Sequence, residues 1–192
     1  MRTHRKHKED LFNLPNTLTL FRLACIPLVM ACLYFPGRLG SFLAALFFGV
    51  AFITDFLDGY FARKRGDVTS IGKFLDPLAD KILVSGTMIS LIPLGRIPSW
   101  IVVLIIAREL AVTGLRSIAA NEGTVIQASK TGKYKTIFQS TATIGLCLHY
   151  PYLEIDFHVV GMTFLWVALV FTLWSGWEYF RSFKDVFFSK TL

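Results

Sequence analysis

The sequence contains few cysteines, and they lack the patterns in which cysteine builds structure. Its three cysteines are an odd number, with Cys25 and Cys32 on one apolar segment and Cys147 on another. No paired spacing typical of a disulfide framework or a zinc site is present. We therefore predict that they are small buried residues, and we exclude the disulfide-rich and zinc-binding classes.

The N-terminus also lacks what a cleaved signal peptide needs. Its first ten residues, MRTHRKHKED, are as basic as the start of a signal peptide. However, the apolar run that follows is too long, and no small-residue cleavage site is evident. We expect the run to be retained as a membrane span. Residues 1–13 are then a basic cytoplasmic segment, either solvated or lying on the membrane surface.

Hydrophobic residues, by contrast, are in excess. They make up 54% of the 192 residues, against about 45–50% in a typical soluble domain. The excess lies in six runs, each close to the roughly 17–25 residues that cross a bilayer. The predicted spans are residues 18–34, 41–62, 71–94, 100–119, 134–150 and 158–180. The predicted fold class is an all-α membrane protein, with a six-transmembrane-helix bundle in residues 14–181 and a cytoplasmic tail in residues 182–192.

The distribution of Lys and Arg predicts the orientation of this bundle. Six spans place both termini on one side, and of the 20 Lys and Arg residues only Arg38 and Arg96 fall on the other side. Because positive loops remain in the cytoplasm, both termini are predicted to be cytoplasmic. The net charge of +7 then faces anionic lipid headgroups and anionic substrates, and no part of the chain resembles a soluble nucleic-acid-binding domain.

Four aspartates interrupt the apolar pattern between the second and third spans. Asp55 and Asp58 are spaced i,i+3, and Asp76 and Asp80 are spaced i,i+4, so each pair falls on one face of a helix. The predicted topology puts both pairs at one depth in the cytoplasmic half, on helices that a short loop makes neighbours. Two divalent cations would cancel their four charges, and all-oxygen ligands suit Mg²⁺ or Mn²⁺. The pattern predicts a two-metal site for phosphoryl chemistry.

Each aspartate also has a simpler structural explanation. Asp76 precedes Pro77 and could cap a helix, and the pair at positions 58 and 59, Asp-Gly, could end one. Asp80 could pair with Lys81 or with another basic residue. These explanations do not account for four carboxylates at one depth, so we favour the metal site.

The same stretch resembles the signature of the CDP-alcohol phosphatidyltransferase family. The matching positions are Asp55-x-x-Asp58-Gly59-x-x-Ala62-Arg63, then eight residues, then Gly72-x-x-x-Asp76-x-x-x-Asp80. Members of this family transfer a phosphatidyl group from a CDP-activated lipid to an alcohol and release CMP. The resemblance extends to length and topology, and it also implies a homodimer.

The resemblance implies a role for each signature residue. Asp55, Asp58 and Asp76 would hold the metals, and Asp80 would complete the second metal site and act as general base on the acceptor hydroxyl. The CDP-lipid would be surrounded by Gly59, Ala62, Arg63, Thr69 and Gly72. The segment PNTLTLFR adds Asn16, Thr19 and Arg22 to this group, although a helix cap followed by an interfacial arginine explains that segment equally well.

A second group of cations bears on the acceptor. Arg108 and Arg116 are spaced i,i+8 and share a helix face, and Lys130, Lys133 and Lys135 lie where the fifth span begins. Cations converging near the aspartates would suit an acceptor that carries a phosphate. We expect Arg108 to need an anionic partner other than the adjacent Glu109, because neighbouring residues do not share a face.

The segments RELAVTGLR and ASKTGKYKT resemble the bacterial glycerol-3-phosphate branch of the family. That resemblance implies CDP-diacylglycerol as donor, glycerol 3-phosphate as acceptor, and a place in the bacterial cytoplasmic membrane. Three alternatives stay open. Orientation alone could explain the lysines, the acceptor could be an inositol phosphate or a phosphatidylglycerol lipid, and intramembrane carboxylates also occur in cation transporters.

His149 and His158 flank the turn between the fifth and sixth spans, which contains Glu154 and Asp156. These residue types could bind a metal, but a solvated turn is the simpler interpretation, which we favour.

Overall fold

The computed structural model describes residues 14–35, 37–65, 70–121 and 130–188. These ranges contain six α-helices: α1 (Leu14–Tyr34), α2 (Arg38–Arg65), α3 (Ser70–Leu91), α4 (Ser99–Asn121), α5 (Lys130–Leu148) and α6 (Phe157–Phe188). A short antiparallel hairpin, β1 (Pro151–Tyr152) and β2 (Ile155–Asp156), joins α5 to α6. The prediction of an almost entirely helical chain is confirmed.

The helix boundaries decide two of the simpler explanations for the aspartates. α2 continues to Arg65, so Asp58 and the glycine after it do not end a helix. α3 begins at Ser70, so Asp76 lies inside the helix and is not its N-cap. Both explanations are wrong, because the polar residues after Asp58 and before Asp76 are still helical.

Length and apolarity alone single out one helix of the described part as able to cross a membrane. This segment is Phe157–Lys184 in α6. Two shorter apolar segments are Thr19–Tyr34 in α1 and Arg38–Thr54 in α2. The other helices have charged residues in their apolar runs, and the six-span arrangement therefore stays a prediction.

Two glycines bring α5 and α6 into direct backbone contact. A Cβ added to Gly145 would lie 2.8 Å from the Cα of Gly161, and one added to Gly161 would lie 2.7 Å from the backbone nitrogen of Leu146. Side chains of any size are therefore excluded at both positions. Elsewhere in the described ranges, α1 packs against both α2 and α3. The expected contact between α2 and α3 is also present.

The buried core supports the interpretation of the cysteines. Cys25, Cys32 and Cys147 are 2%, 8% and 0% exposed, and all three are free thiols. They pack among the aliphatic and aromatic residues of α1 to α6. Their role in the fold is that of small apolar side chains.

Arg96, in the turn between α3 and α4, organises the end of the molecule that carries the hairpin. It is 7% exposed and donates hydrogen bonds to the carbonyl oxygen of Cys147, at 2.8 Å, and to Oγ of Ser41, at 2.9 Å. Its guanidinium also lies 5.8 Å from the ring centroid of Tyr150. Arg96 thus ties the start of α2 to the end of α5.

The histidines of this outer turn contact each other. Nδ1 of His149 and Nδ1 of His158 are 3.2 Å apart, and Oδ1 of Asp156 accepts hydrogen bonds from the first backbone amides of α6. No group of three or more His, Cys, Asp or Glu residues suited to a metal occurs in the ranges that the structure describes. The turn is held by hydrogen bonds and a helix cap, which favours the simpler interpretation.

Candidate active site

A cavity of about 280 Å³ lies among α1, α2, α3, α4 and α5. Much of its wall is apolar, with residues such as Phe52, Leu83 and Ile105. Its charged lining residues are Arg22, Asp80, Lys81, Glu109 and Lys135. The cavity therefore brings together the predicted general base, Asp80, and one of the predicted acceptor-binding cations, Lys135.

Asp80 is held by an arginine from α1. Nη1 of Arg22 donates to Oδ1 of Asp80 at 2.5 Å, and the two side chains are 1% and 42% exposed. The buried arginine requires an anionic partner, because an uncompensated buried charge is strongly destabilising. Asp80 therefore pairs with a basic residue other than Lys81, while its carboxylate still reaches the cavity.

Lys81 points to α4 instead. Its Nζ donates to Oγ1 of Thr113 at 2.5 Å, and the side chain lines the cavity. Our sequence reasoning did not propose Lys81 as a ligand-binding residue. A lysine within an apolar span, directly after the last aspartate of the signature, was the signal that could have identified it.

Glu109 is shared by two of the predicted acceptor-binding cations. Nζ of Lys135, a residue 5% exposed, donates to Oε1 of Glu109. Nη1 of Arg108 reaches the same oxygen at 3.4 Å. The expectation that Arg108 and Glu109 do not pair is therefore wrong, because two long side chains can turn towards each other from adjacent positions. The distance is at the long end for a hydrogen bond.

Arg108 is positioned by α6, a helix that no sequence pattern assigned to the site. Nη2 of Arg108 donates to Oγ of Ser175 at 2.8 Å, and that hydroxyl donates to the carbonyl oxygen of Phe171 at 2.6 Å. A Cβ at Gly176 would lie 3.1 Å from Cγ of Arg108. Arg108 thus lies in a socket of α6 formed by Ser175 and Gly176. It does not line the cavity itself, and its link to the cavity is through Glu109.

Arg116 and Lys133 are exposed, and neither lines the cavity. The guanidinium of Arg116 lies 5.7 Å from the ring centroid of Tyr179 on α6. Glu178, for which the sequence suggested no role, accepts hydrogen bonds from Oγ1 of Thr131 and Nε1 of Trp174. Glu178 thereby fixes the start of α5 against α6.

The cations of this region repel one another. Lys81 is within electrostatic range of Arg108 and Arg116, and Lys135 is within range of Arg108 and Lys81. In the part of the chain that the structure describes, the carboxylate paired with any member of this cation cluster (Lys81, Arg108, Arg116, Lys135) is Glu109. The cluster therefore has a net positive charge, which attracts an anion.

Most side chains of the aspartate signature lie outside the described residues. The backbones of Asp55 and Asp58 belong to the last part of α2, and that of Asp76 to α3. Side chains outside the described set are those of Asn16, Asp55, Asp58, Gly59, Ala62, Arg63, Gly72, Asp76 and Lys130, and Thr69 lies outside it entirely. Thr19, 1% exposed, is one helical turn from Arg22 on α1. The predicted metal and CDP-lipid contacts therefore stay predictions.

The donor set nevertheless fits a hard divalent cation. All four predicted ligands are carboxylates, and the described one, Asp80, is partly exposed on the cavity. Oxygen-only donors suit Mg²⁺ or Mn²⁺.

Comparison with known proteins identifies the family. Residues 12–174 match the family model described as CDP-alcohol phosphatidyltransferase. The chain belongs to this family. As a CDP-alcohol phosphatidyltransferase it is a transferase of phospholipid biosynthesis, and members of the family generally use divalent metal ions.

Three bacterial relatives share the same name, CDP-diacylglycerol–glycerol-3-phosphate 3-phosphatidyltransferase. The protein of Bacillus subtilis (strain 168) is 46% identical over 186 residues, covering 88% of this chain and 94% of the relative. That of Rickettsia bellii is 41% identical over 176 residues, covering 91% and 97%. That of Shigella flexneri is 40% identical over 174 residues, covering 88% and 93%. The similarity to this CDP-alcohol phosphatidyltransferase thus extends over nearly the whole of each protein.

Proposed function

We propose that the protein transfers the phosphatidyl group of CDP-diacylglycerol to sn-glycerol 3-phosphate, giving phosphatidylglycerophosphate and CMP. The observation that carries this proposal is the cavity lined by both Asp80 and Lys135. It combines a carboxylate able to accept a proton with a buried cation able to bind a phosphate. The names of the bacterial relatives support both substrates.

The charge of the cation cluster supports a phosphorylated acceptor. A phosphate monoester carries about −1.5 to −2 charges near neutral pH, which would complement the positive charge that Glu109 leaves uncompensated. Glu109 holds Arg108 and Lys135 together. An uncharged alcohol would leave this cluster without an anionic ligand, and a lipid phosphodiester would bring a smaller charge.

Asp80 is the proposed general base. It takes the proton of the acceptor's 1-hydroxyl while that oxygen bonds to the phosphorus that carries the diacylglycerol. The bond from this phosphorus to the CMP oxygen breaks, and CMP leaves with the electron pair. Arg22 orients the carboxylate of Asp80 through the 2.5 Å hydrogen bond.

The other aspartates complete the proposed metal site. Asp55, Asp58, Asp76 and Asp80 would hold two Mg²⁺ or Mn²⁺ ions, which when bound would stabilise negative charge on the diphosphate. The cytidine diphosphate would be surrounded by Asn16, Thr19, Gly59, Ala62, Arg63, Thr69 and Gly72. The acceptor phosphate would be bound in the cavity by Lys135. Arg108, Arg116, Lys130 and Lys133 would add positive charge around this phosphate site.

We place the protein in the bacterial cytoplasmic membrane as a homodimer, with six spans in residues 14–181. Both termini and the cavity would face the cytoplasm, where residues 1–13 and 182–192 are the basic segment and the tail. The distribution of Lys and Arg supports this orientation. Water-soluble glycerol 3-phosphate could then reach the cavity from the cytoplasm while the donor remains in the bilayer.

An acceptor assay tests the proposal. The purified protein receives CDP-diacylglycerol with glycerol 3-phosphate, inositol 1-phosphate, phosphatidylglycerol or free glycerol, and CMP release is measured. We expect turnover with glycerol 3-phosphate and little with the others. Turnover with another acceptor and none with glycerol 3-phosphate would contradict the proposal. Ion flux in sealed vesicles without cytidine nucleotide would instead favour a transporter.

Lys135→Met separates the phosphate contact from the rest of catalysis. We expect the acceptor KM to rise about 10-fold or more, because a hydrogen bond to a charged group contributes about 1.5–3 kcal/mol. The matched control is Lys184→Met, which removes an exposed lysine of α6. An equal change in both variants would argue against a phosphate contact at Lys135.

A further inference from the structure

Ser140 on α5 has a buried hydroxyl group that its own helix does not use. The residue is 0% exposed, and its Oγ has no hydrogen-bond partner within the described ranges. Other buried hydroxyls bond to the carbonyl four residues earlier: Thr143 to Gln139 at 2.8 Å, and Thr172 to Ala168 at 2.6 Å. Ser140 departs from this pattern, and it lines the cavity.

The adjacent Gln139 is also poorly satisfied. It is 6% exposed, and its Nε2 donates a long hydrogen bond to the sulfur of Met88, at 3.8 Å. A thioether is a weak acceptor, so the amide retains donor capacity. Gln139 lines the same cavity. Two neighbouring polar side chains thus face a cavity with hydrogen-bonding capacity that the described protein groups leave unused.

Unsatisfied buried polar groups are uncommon in folded proteins and require an explanation, such as a ligand or an ordered water molecule. On α5, Ser140 follows Lys135 by five residues, a rise of about 7.5 Å. This spacing is on the scale of a three-carbon chain that carries a phosphate. An acceptor with its phosphate at Lys135 would therefore extend its carbon chain along α5 towards Gln139 and Ser140.

We infer that Ser140 and Gln139 form a subsite that recognises the free 2-hydroxyl of the three-carbon acceptor. The inference rests on the proposed function, because it divides the same cavity into a phosphate end and a hydroxyl end. Ser140 donates a hydrogen bond to the oxygen of the 2-hydroxyl. The side-chain amide of Gln139 forms the remaining hydrogen bonds of that hydroxyl. The subsite selects a polyol phosphate over a simple alkanol phosphate, since an acceptor without the 2-hydroxyl leaves Ser140 and Gln139 without a hydrogen-bond partner in the cavity.

The test compares two acceptors that differ by this hydroxyl. Wild-type protein and Ser140→Ala are assayed for CMP release with glycerol 3-phosphate and with 3-hydroxypropyl phosphate, which lacks the 2-hydroxyl. We expect the wild type to prefer glycerol 3-phosphate by about 10-fold in kcat/KM, the size of one good hydrogen bond. In Ser140→Ala the preference should shrink to about 2-fold, through slower use of glycerol 3-phosphate alone.

Thr143→Val is the matched control. It removes another buried hydroxyl of α5, one that is satisfied within the helix and does not line the cavity, and it should keep the wild-type preference. Ser140→Cys provides a second variant of similar volume with a weak donor. It should show an intermediate preference, and thermal unfolding of each variant verifies that it is folded.

The outcomes separate the subsite from the proposed function. Turnover of glycerol 3-phosphate with an unchanged preference in Ser140→Ala would mean that Ser140 binds only water, and it would overturn the subsite alone. A wild-type enzyme that uses both acceptors equally would overturn it as well. No CMP release from the wild type with glycerol 3-phosphate would overturn the proposed function, and the subsite with it.

Discussion

Arg96 in the turn between α3 and α4 and the cation cluster beside the cavity both place positive charge inside the protein, but with different kinds of partner. The guanidinium of Arg96 donates to a backbone carbonyl and to the hydroxyl of Ser41, and it lies against the ring of Tyr150. Beside the cavity, Arg108 and Lys135 share the one carboxylate of Glu109. The outer arginine is satisfied by neutral groups of the protein, whereas the inner cations are more numerous than their described anionic partners.

This difference separates a structural role from a binding role. Neutral partners that are parts of the fold remain in place and hold Arg96, so that region works as a clamp between helices. A carboxylate shared by repelling cations can be supplemented or replaced by a ligand phosphate. Substitutions in the outer turn should therefore change stability, and substitutions around the cavity should change kinetics.

The largest expected effect is that of Asp80→Asn. The amide cannot accept the acceptor's proton, and general-base catalysis contributes about 10²–10⁴-fold, so turnover should fall by about 10³-fold. CMP release measures turnover, and a binding assay with CDP-diacylglycerol should show substantial binding. The control is Asp156→Asn, at the cap of α6 in the outer turn. Wild-type turnover in Asp80→Asn would refute the assignment of the base.

Arg108→Ala should have the next largest effect. Arg108 acts on the cavity through Glu109, and without it this carboxylate would neutralise Lys135 more fully. An interaction with a charged group contributes about 1.5–3 kcal/mol, so the KM for glycerol 3-phosphate should rise about 10–100-fold. The KM for CDP-diacylglycerol should change much less. Arg38→Ala removes the same charge from the outer end, where Arg38 lies 6.0 Å from the Tyr150 ring centroid. Equal changes for donor and acceptor would argue against an acceptor contact.

Arg96→Met tests the other side of the comparison. It leaves Ser41 and the Cys147 carbonyl without their donor, a loss of about 2–3 kcal/mol. The Tm should then fall by about 4–10 °C for a chain of this size, with both KM values unchanged. Thermal unfolding in detergent measures the shift. An altered acceptor KM with an unchanged Tm would contradict the structural role of Arg96.

The smallest expected effect is on the pH dependence of stability, through His149 in the turn between α5 and α6. Burial lowers the pKa of His149 below its ordinary value of 6.5, with Arg96 and His158 adding to the shift and Asp156 opposing it. The unfolded chain then binds a proton more readily than the folded one. The contribution of neutral His149 to stability is therefore full above about pH 6.5 and is lost as the pH falls towards the lowered pKa.

Thermal unfolding at pH 7.5 and pH 5.5 measures this dependence. The Tm of the wild type should fall by a few degrees more than that of His149→Gln, which has no imidazole to protonate. The same fall in both proteins would show that another group controls the pH dependence.

The helices and the cavity-facing Asp80 were predictable because they depend on local signals. Apolar runs set the positions of the helices, and the spacing of Asp76 and Asp80 set a shared helix face. Asp80 and Lys135, whose convergence was predicted from the sequence, line one cavity.

The partners of the charged groups were not predictable in the same way. Arg22 and Asp80 are 58 residues apart, and Arg108 and Ser175 are 67 apart, so their contacts depend on how helices pack. Spacing on a single helix contains no information about that packing. Helix spacing also gave a wrong prediction for Arg108 and Glu109. The spacing describes the directions of the Cβ atoms and does not limit where the ends of long side chains lie.

The glycine contact between α5 and α6 has a consequence for the distribution of charge. α5 carries Lys135, and α6 carries the socket of Arg108, so the packing of α5 against α6 contributes to the relative positions of these two cations. Gly145 and Gly161 permit this packing, because a Cβ added to Gly145 would lie only 2.8 Å from the Cα of Gly161. The two glycines do not line the cavity, yet they determine how closely the backbones of α5 and α6 approach at their contact. A single added methyl group at either position would meet backbone atoms of the facing helix and force the two helices apart.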